Sequence, residues 1–410
     1  MRTLLLAFLL IQAVDAHAQT ISAEIDSGPL PSTFLAPFLP APAVAMAKDR
    51  TGIAIAWLMP GTPGDRISVV RLDASGHFAG PVQTIPTVPP SSPNPVNVVA
   101  PSLAAAPRGD GFTLAWVEIL STNPAIARAA YCRLDRDLKS STPESLLGIW
   151  QPVTAPAIVR SGKTTWITAA ASAWELRDDG SLSEPLNAGM NATDMTLATE
   201  FPQIVALGQA PGPLTCPVSC RLPHTFCLCP LVPTTGVNFL QFTSLYSVTA
   251  SIGLDYDTDA APAIRGDGHD VAMVWLQGIH PRGGSVVMAR LLPPSFSDVG
   301  SSVNQPRVIG GFGPDTGATR PDIAGDDERY VVVWRTANTN RTHDIVGASI
   351  DRAGNVIPLV IAISAADERD PSVLSMGNGM FLVAYEKLIA GERHIAGRFV
   401  IFDSRGRAVR

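Results

Sequence analysis

Apolar residues in this chain come in short, dense runs at a regular spacing. The clearest are Val331–Trp334 and Phe381–Tyr385, where apolar side chains fill consecutive positions with no polar alternation. Runs of that length are too short for helices and suit strands covered on both faces. A shorter apolar piece precedes each run, opened by a proline and closed by a Gly/Asp turn. A polar loop, a third apolar piece, an Asp-x-x-Gly turn and a fourth piece rich in Val, Ile and Pro follow it. Thr319–Glu386 carries this unit almost twice: Pro321, Tyr330–Trp334, Asp344–Ala348 and Asp351–Gly354, then Pro371, Phe381–Tyr385, His394–Arg398 and Asp403–Gly406.

The period is about fifty residues, and most of the chain can be phased to it. Proline-to-aromatic spacings of 13 to 15 positions join Pro42 to Trp57, Pro101 to Trp116, Pro262 to Trp275, Pro321 to Trp334 and Pro371 to Tyr385. Two copies are degenerate. Pro156 opens one, with Thr164–Ala170 as its second strand and Ser172–Leu176 as its third. Pro202 opens the other, in which a Cys-rich insertion at about 209–235 precedes Val237–Phe242. Four strand-length pieces per copy, each sheet covered by its neighbours, describe the blade of a β-propeller. The expected fold is all-β, a β-propeller of seven four-stranded blades, with six or eight as alternatives. The last copy ends at Arg410 without a fourth strand, while Thr20–Ile25 is a spare strand before the first. An open edge leaves unpaired backbone groups, so Thr20–Ile25 is expected to close the ring on the last blade.

Residues 1–18 are a signal peptide by pattern: a basic start at Arg2, an apolar core over Leu4–Ile11 and a small-residue cleavage site at Ala16–Ala18. Residues 19–410 then form one propeller domain, secreted or periplasmic, with no transmembrane anchor. The formal charge of −6 and pI near 5.6 exclude nucleic acid as a partner, which needs a basic footprint.

Cys216, Cys220, Cys227 and Cys229 fall within fourteen residues. In an exported chain this clustering reads as two disulfides, with a zinc site as the alternative. Cys132 reads as a buried free thiol. Arg108–Asp110 and Arg265–Asp267 both spell Arg-Gly-Asp, at turns where Asp and Gly are required by geometry. Asp255, Asp257 and Asp259 resemble the opening of a calcium loop, but Ala260 and Gly266 stand where an EF-hand needs Gly and Glu. A looser Ca²⁺ site is the remaining cofactor expectation. Loops between second and third strands of the last three copies carry His280, Arg282, Arg341, His343, Asp344, Glu392, Arg393 and His394. A propeller brings these to one end, which is the expected ligand-binding face, and Arg with His suits an anionic partner. There is no nucleophile elbow, zinc-protease motif, phosphate loop or dinucleotide fingerprint.

The repeat Pro-x-Ile/Val-Ala … Phe/Tyr-Val-Val-Trp … Asp-Ile-x-Gly … Asp-x-x-Gly, clearest over Pro321–Gly354, resembles the repeats of secreted bacterial β-propeller proteins. The resemblance implies an exported propeller and no single activity. Ser349–Gly354 approaches the sialidase Asp-box, Ser-x-Asp-x-Gly-x-Thr-Trp, but its Gly comes one residue late and no Thr-Trp follows. The functional expectation is a monomeric, non-catalytic binding or scaffold protein for a protein or glycan partner. The alternative is a carbohydrate-active hydrolase or lyase with its site over the axial channel.

Overall fold

The computed structural model describes residues 20–28, 44–59, 66–87, 97–106, 109–122, 125–146, 156–161, 164–169, 172–187, 191–198, 203–209, 226–233, 240–242, 246–247, 259–266, 271–277, 284–291, 307–313, 321–338 and 342–402. Their strands run in chain order as follows. β1 (Thr20–Ile21) and β2 (Ile25–Asp26) come first. β3 (Val44–Lys48), β4 (Ile53–Met59), β5 (Arg66–Leu72) and β6 (Gln83–Ile85) form the first sheet. β7 (Asn97–Ala105), β8 (Phe112–Thr122), β9 (Ala125–Leu134) and β10 (Glu144–Ser145) form the second. β11 (Ala157–Ser161), β12 (Thr164–Ala169), β13 (Ser172–Leu176) and β14 (Leu186–Asn187) form the third. The fourth holds β15 (Asn191–Ala198), β16 (Gln203–Gln209), β17 (Phe226–Pro233), β18 (Leu240–Phe242) and β19 (Tyr246–Ser247). β20 (Asp259–Gly266), β21 (Val271–Gln277), β22 (Gly284–Leu291) and β23 (Arg307–Phe312) form the fifth. β24 (Asp322–Gly325), β25 (Arg329–Ala337), β26 (His343–Asp351) and β27 (Val356–Ala362) form the sixth. The last contains β28 (Asp367–Gly377), β29 (Met380–Ile389) and β30 (Glu392–Ile401). Every sheet is antiparallel, with most strands consecutive in the chain lying side by side.

The unbroken apolar runs are the second strands, and their two faces serve two different neighbours because side chains alternate along a strand. Ile53, Ile55 and Trp57 pack with Leu382 and Ala384 of the last sheet. Ala54, Ala56 and Leu58, on the other face of β4, pack with Phe112, Leu114 and Trp116 of the second. β25 repeats this: Tyr330, Val332 and Trp334 face Val274 and Leu276, while Val331 and Val333 face Phe381, Val383 and Tyr385. First strands follow the same succession. β3 lies against β7, β7 against β11, β11 against β15, β15 against β20, β20 against β24, β24 against β28, and β28 against β3.

In three copies the opening proline marks a bulge. Register shifts fall between Val99 and Ser102, Ala260 and Ala263, and Arg369 and Ser372. Each bulge spans one residue and the proline after it: Pro101, Pro262 and Pro371. A proline has no N–H for the ladder, so the strand bends around it.

Thr20 and Ile21 pair with Ile401 and Val400, and Ile25 and Asp26 pair with Gly397 and Ala396. The stretch expected as one strand is thus two short strands on β30, interrupted at Ser22–Glu24. The fourth copy departs from the expected phasing. Pro202 precedes β16, a second strand, because β15 already fills the first-strand place. Phe226–Pro233, expected inside the Cys-rich excursion over 209–235, is the third strand and pairs with β16 from Ile204↔Leu231 to Gln209↔Phe226. Its residues are mostly apolar, which suits a covered strand. Leu240–Phe242, part of the piece expected after that insertion, is the fourth strand.

Candidate functional site

At one end of the last two sheets, charged residues replace the apolar ones. β25 runs out through Arg335, β26 begins at His343-Asp344, and β28 begins with the run Asp367-Glu368-Arg369-Asp370. β29 leaves the core through Glu386-Lys387, and β30 begins at Glu392-Arg393-His394. Antiparallel pairing holds these together: Ala337 faces His343, Glu368 faces Lys387, and Arg369 faces Glu386.

The expected ligand-face residues found here are tied into internal pairs. The His343 ring Nδ1 lies 2.7 Å from Asp367 Oδ1, which also accepts the His343 backbone N–H at 3.0 Å. Asp367 Oδ2 accepts Arg369 Nε at 2.8 Å. Burial raises the Asp367 pKa, but the hydrogen bonds and charges of His343 and Arg369 outweigh it and bring the carboxyl down to about 2. Asp344 is buried and accepts from Asn338 Nδ2 at 3.1 Å. Arg393 is only 2% exposed. Its guanidinium donates to Glu386 and to the Leu58 carbonyl of the first sheet. The His394 ring sits 2.8 Å from Asp26 of β2. Glu392 is exposed. His280, Arg282 and Arg341 lie outside the described residues.

Two carboxyls here are poorly satisfied. Glu368 is 0% exposed; Oε1 accepts from Ser364 Oγ at 2.5 Å, while Oε2 has no hydrogen-bond partner. Burial raises its pKa against the Ser364 hydrogen bond and the Lys387 charge, and Asp344 and Glu24 add to the rise. Asp370 is 5% exposed, and its Oδ1 accepts no hydrogen bond. Arg335 Nη1 lies 4.0 Å from that oxygen. Burial raises the Asp370 pKa despite the opposing charges of Arg335, Arg369, Arg393 and His343. A raised pKa is the direction that a carboxyl needs if it is to donate a hydrogen bond or a proton.

Sequence reasoning passed over Arg335, Asp367, Glu368, Arg369, Asp370 and Glu386. A signal was present: Asp367–Asp370 places four charged residues just before a repeat proline, where the second copy has Asn97-Val-Val-Ala100. The Glu386–Arg393 pair has a counterpart in the second sheet. There Arg128 Nε donates to Glu118 Oε2 at 2.6 Å and Trp116 Nε1 to Glu118 Oε1 at 3.0 Å.

The opposite end holds an open cleft of about 530 Å³ between the second and third sheets. Arg133, Lys139 and Arg177 line it together with Asp135, Asp178 and Asp179. Cys227 and Cys229 lie on β17, and Cys216 and Cys220 lie outside the described residues, as do Asp255 and Asp257; Asp259 begins β20. Cys132 is a buried free cysteine, and burial pushes its thiol up to about 12. Among the described residues, no helix is long and apolar enough to cross a membrane.

An all-β chain of four- and five-stranded antiparallel sheets, each packed between its neighbours, is consistent with a β-propeller. No family model matches the sequence, and no curated protein matches it. Among solved structures, the chain is similar to a protein of unknown function from Dyadobacter fermentans, at 12% identity and a TM-score of 0.51, covering 93% of this chain and 99% of that one. That likeness speaks for the fold alone. A Trypanosoma rangeli sialidase in complex with sialic acid aligns at 7% identity and a TM-score of 0.48, over 93% of this chain and 58% of its own. The catalytic domain of a Coprinopsis cinerea GH62 α-L-arabinofuranosidase aligns at 8% identity and a TM-score of 0.39, over 94% and 98%.

Proposed function

We propose that this chain is an exported, seven-bladed β-propeller, closed by its N-terminal strands, that works as a non-catalytic binding protein for an acidic glycan or a protein carrying acidic groups. The ring reading is supported by first-strand contacts that return from β28 to β3, and by the pairing of β1 and β2 with β30. One observation carries the binding reading: Arg335, His343, Arg369 and Arg393 gather on the strand ends at one side of the last two sheets, with Arg335 Nη1 4.0 Å from Asp370 Oδ1. Arg369 and Arg393 are fixed there by Asp367 and Glu386, so little ordering is required when a ligand binds. Loops on such a rigid frame are where recognition collects.

Glu368 and Asp370 favour a second reading, a carbohydrate-active hydrolase or lyase, because both are buried with an unpartnered carboxyl oxygen and burial raises their pKa, the direction that a general acid requires. One panel of acidic and neutral glycans separates the two. The binding reading expects an acidic member to be held intact, and affinity about tenfold weaker in Arg282→Ala, Arg341→Ala or Arg369→Ala, the scale of one charged hydrogen bond. A ligand held with full affinity by all three variants places the site elsewhere. Release of sugar that disappears in Glu368→Gln replaces the binding reading with the hydrolytic one.

A further inference from the structure

Arg71 in the first sheet and Arg133 in the second are equivalent. Each stands one place before the end of its third strand and pairs with the second residue of the strand before, Ala54 or Thr113. Each also reaches the turn of the following sheet. Arg71 donates through Nε to the Arg136 carbonyl at 2.5 Å. Arg133 lies so close to Gly180, whose φ is +85°, that a Cβ there would run into its guanidinium. Asp49 and Ala106 are equivalent too. Each directly follows a first strand, and its N–H closes the turn on the carbonyl of Gly52 or Gly111. Asp326 holds that place in the sixth sheet, with its N–H on the Arg329 carbonyl.

In the first sheet these two positions meet as a fork: Arg71 Nη1 lies 3.5 Å from Asp49 Oδ1, and Nη2 3.3 Å from Oδ2. In the second sheet Ala106 stands in place of the carboxylate. Among the described residues, neither the Arg133 guanidinium nor the Lys139 ammonium makes a hydrogen bond or an ion pair. Ala106, Arg133 and Lys139 line the same cleft of about 530 Å³. Its other charged groups are mostly engaged. Asp135 Oδ1 accepts the N–H groups of Asp137 and Lys139, Asp179 Oδ1 accepts that of Ser181, and Arg177 lies 3.5 Å from Glu175. Asp110 is exposed. Asp178 Oδ1 differs from these: it is shielded from solvent and has no hydrogen-bond partner, a state that calls for a donor. Guanidinium groups recognise planar carboxylates by paired hydrogen bonds. We infer that this cleft is a second binding site, for a small hydroxylated acid of the uronic acid type. Arg133 and Lys139 hold its carboxylate, as Arg71 holds Asp49, and Asp178 accepts from a hydroxyl. The site lies at the opposite end of the sheets from the residues proposed above to bind an acidic partner, and it does not depend on them.

The test uses residues 19–410 as wild type, Ala106→Asp and Arg133→Gln. Ala106→Asp gives Arg133 the carboxylate that Asp49 gives Arg71, so it fills the site from within. Melting is followed against sodium D-glucuronate, with D-glucose and with sodium chloride at matched ionic strength as controls. The wild type should show a saturable rise of roughly 2 °C or more with glucuronate alone. Ala106→Asp should melt at or above wild type in chloride and, like Arg133→Gln, gain nothing from glucuronate. No rise in the wild type, or an equal one with glucose or chloride, overturns the inference. A response kept by both variants and lost in Arg369→Ala belongs to the opposite end of the sheets; it overturns the cleft and leaves the binding reading standing. If Ala106→Asp melts well below wild type in chloride, Arg133 does not accept a carboxylate from this side, and the inference fails.

Discussion

Asp367 and Glu368 are adjacent in the chain and shifted in opposite directions. Asp367, paired with His343 and Arg369, titrates near 2, below the ordinary aspartate value of about 3.9. Its contribution, about 2 kcal/mol, is therefore complete above pH ~4 and lost as pH falls toward 2. Glu368 has its pKa raised by burial, so its sign is reversed: the fold loses stability as pH climbs above the unfolded glutamate value of about 4.3. Glu368→Gln should accordingly raise the melting temperature at pH 7, and the gain should vanish below about pH 4. A lower melting temperature at pH 7 contradicts this electrostatic account. Little of the pairing was legible beforehand. Arg393 and His394 stood out by their loop position, but their partners Leu58 and Asp26 lie 335 and 368 residues away. No local pattern predicts which distant atom a guanidinium will meet.

Second strands were the most legible elements, because burial on both faces leaves an unbroken apolar run that only a short, covered strand explains. Trp57, fully buried between the first and last sheets and stacked on Phe78 at 5.7 Å, tests that packing. Trp57→Ala should reduce unfolding free energy by about 3–5 kcal/mol in a denaturant titration; a change under about 1 kcal/mol means that the site is not a packed junction. The same rule applied to Phe226–Pro233 would have found β17. Two features hid it: the cysteines suggested a stapled loop, and Pro230 and Pro233 argue against a central strand because neither can donate to the ladder. Bulges were invisible for a different reason. The sequence marks the proline, but whether the partner strand absorbs the extra residues depends on register, which only the paired strand sets.

At the scale of the whole molecule, six sheets are each built from one continuous stretch of chain, and the last borrows its outer strands from the other end. Glu24, in the interruption between β1 and β2, anchors that junction. It accepts from Tyr385 Oη at 2.7 Å and Arg398 Nη2 at 3.3 Å, and also from Lys387. Burial pushes its pKa up, but these hydrogen bonds and charges more than offset that and hold it below the ordinary range. Ser22 Oγ accepts the Phe399 N–H at 2.9 Å, and Ser27 Oγ the Ile395 N–H at 3.0 Å. The missing fourth strand of the last copy and the spare strand before the first made this junction foreseeable; the charged groups that secure it were not. The measurement that bears most directly on a ring closed by its N-terminus is the thermal unfolding of residues 19–410 beside a deletion of residues 19–28. Loss of the β30 ladder, the Glu24 contacts and the cover over Phe399 should lower stability by several kcal/mol, on the order of 3–5, with a clearly lower melting temperature. An unchanged melting temperature contradicts closure.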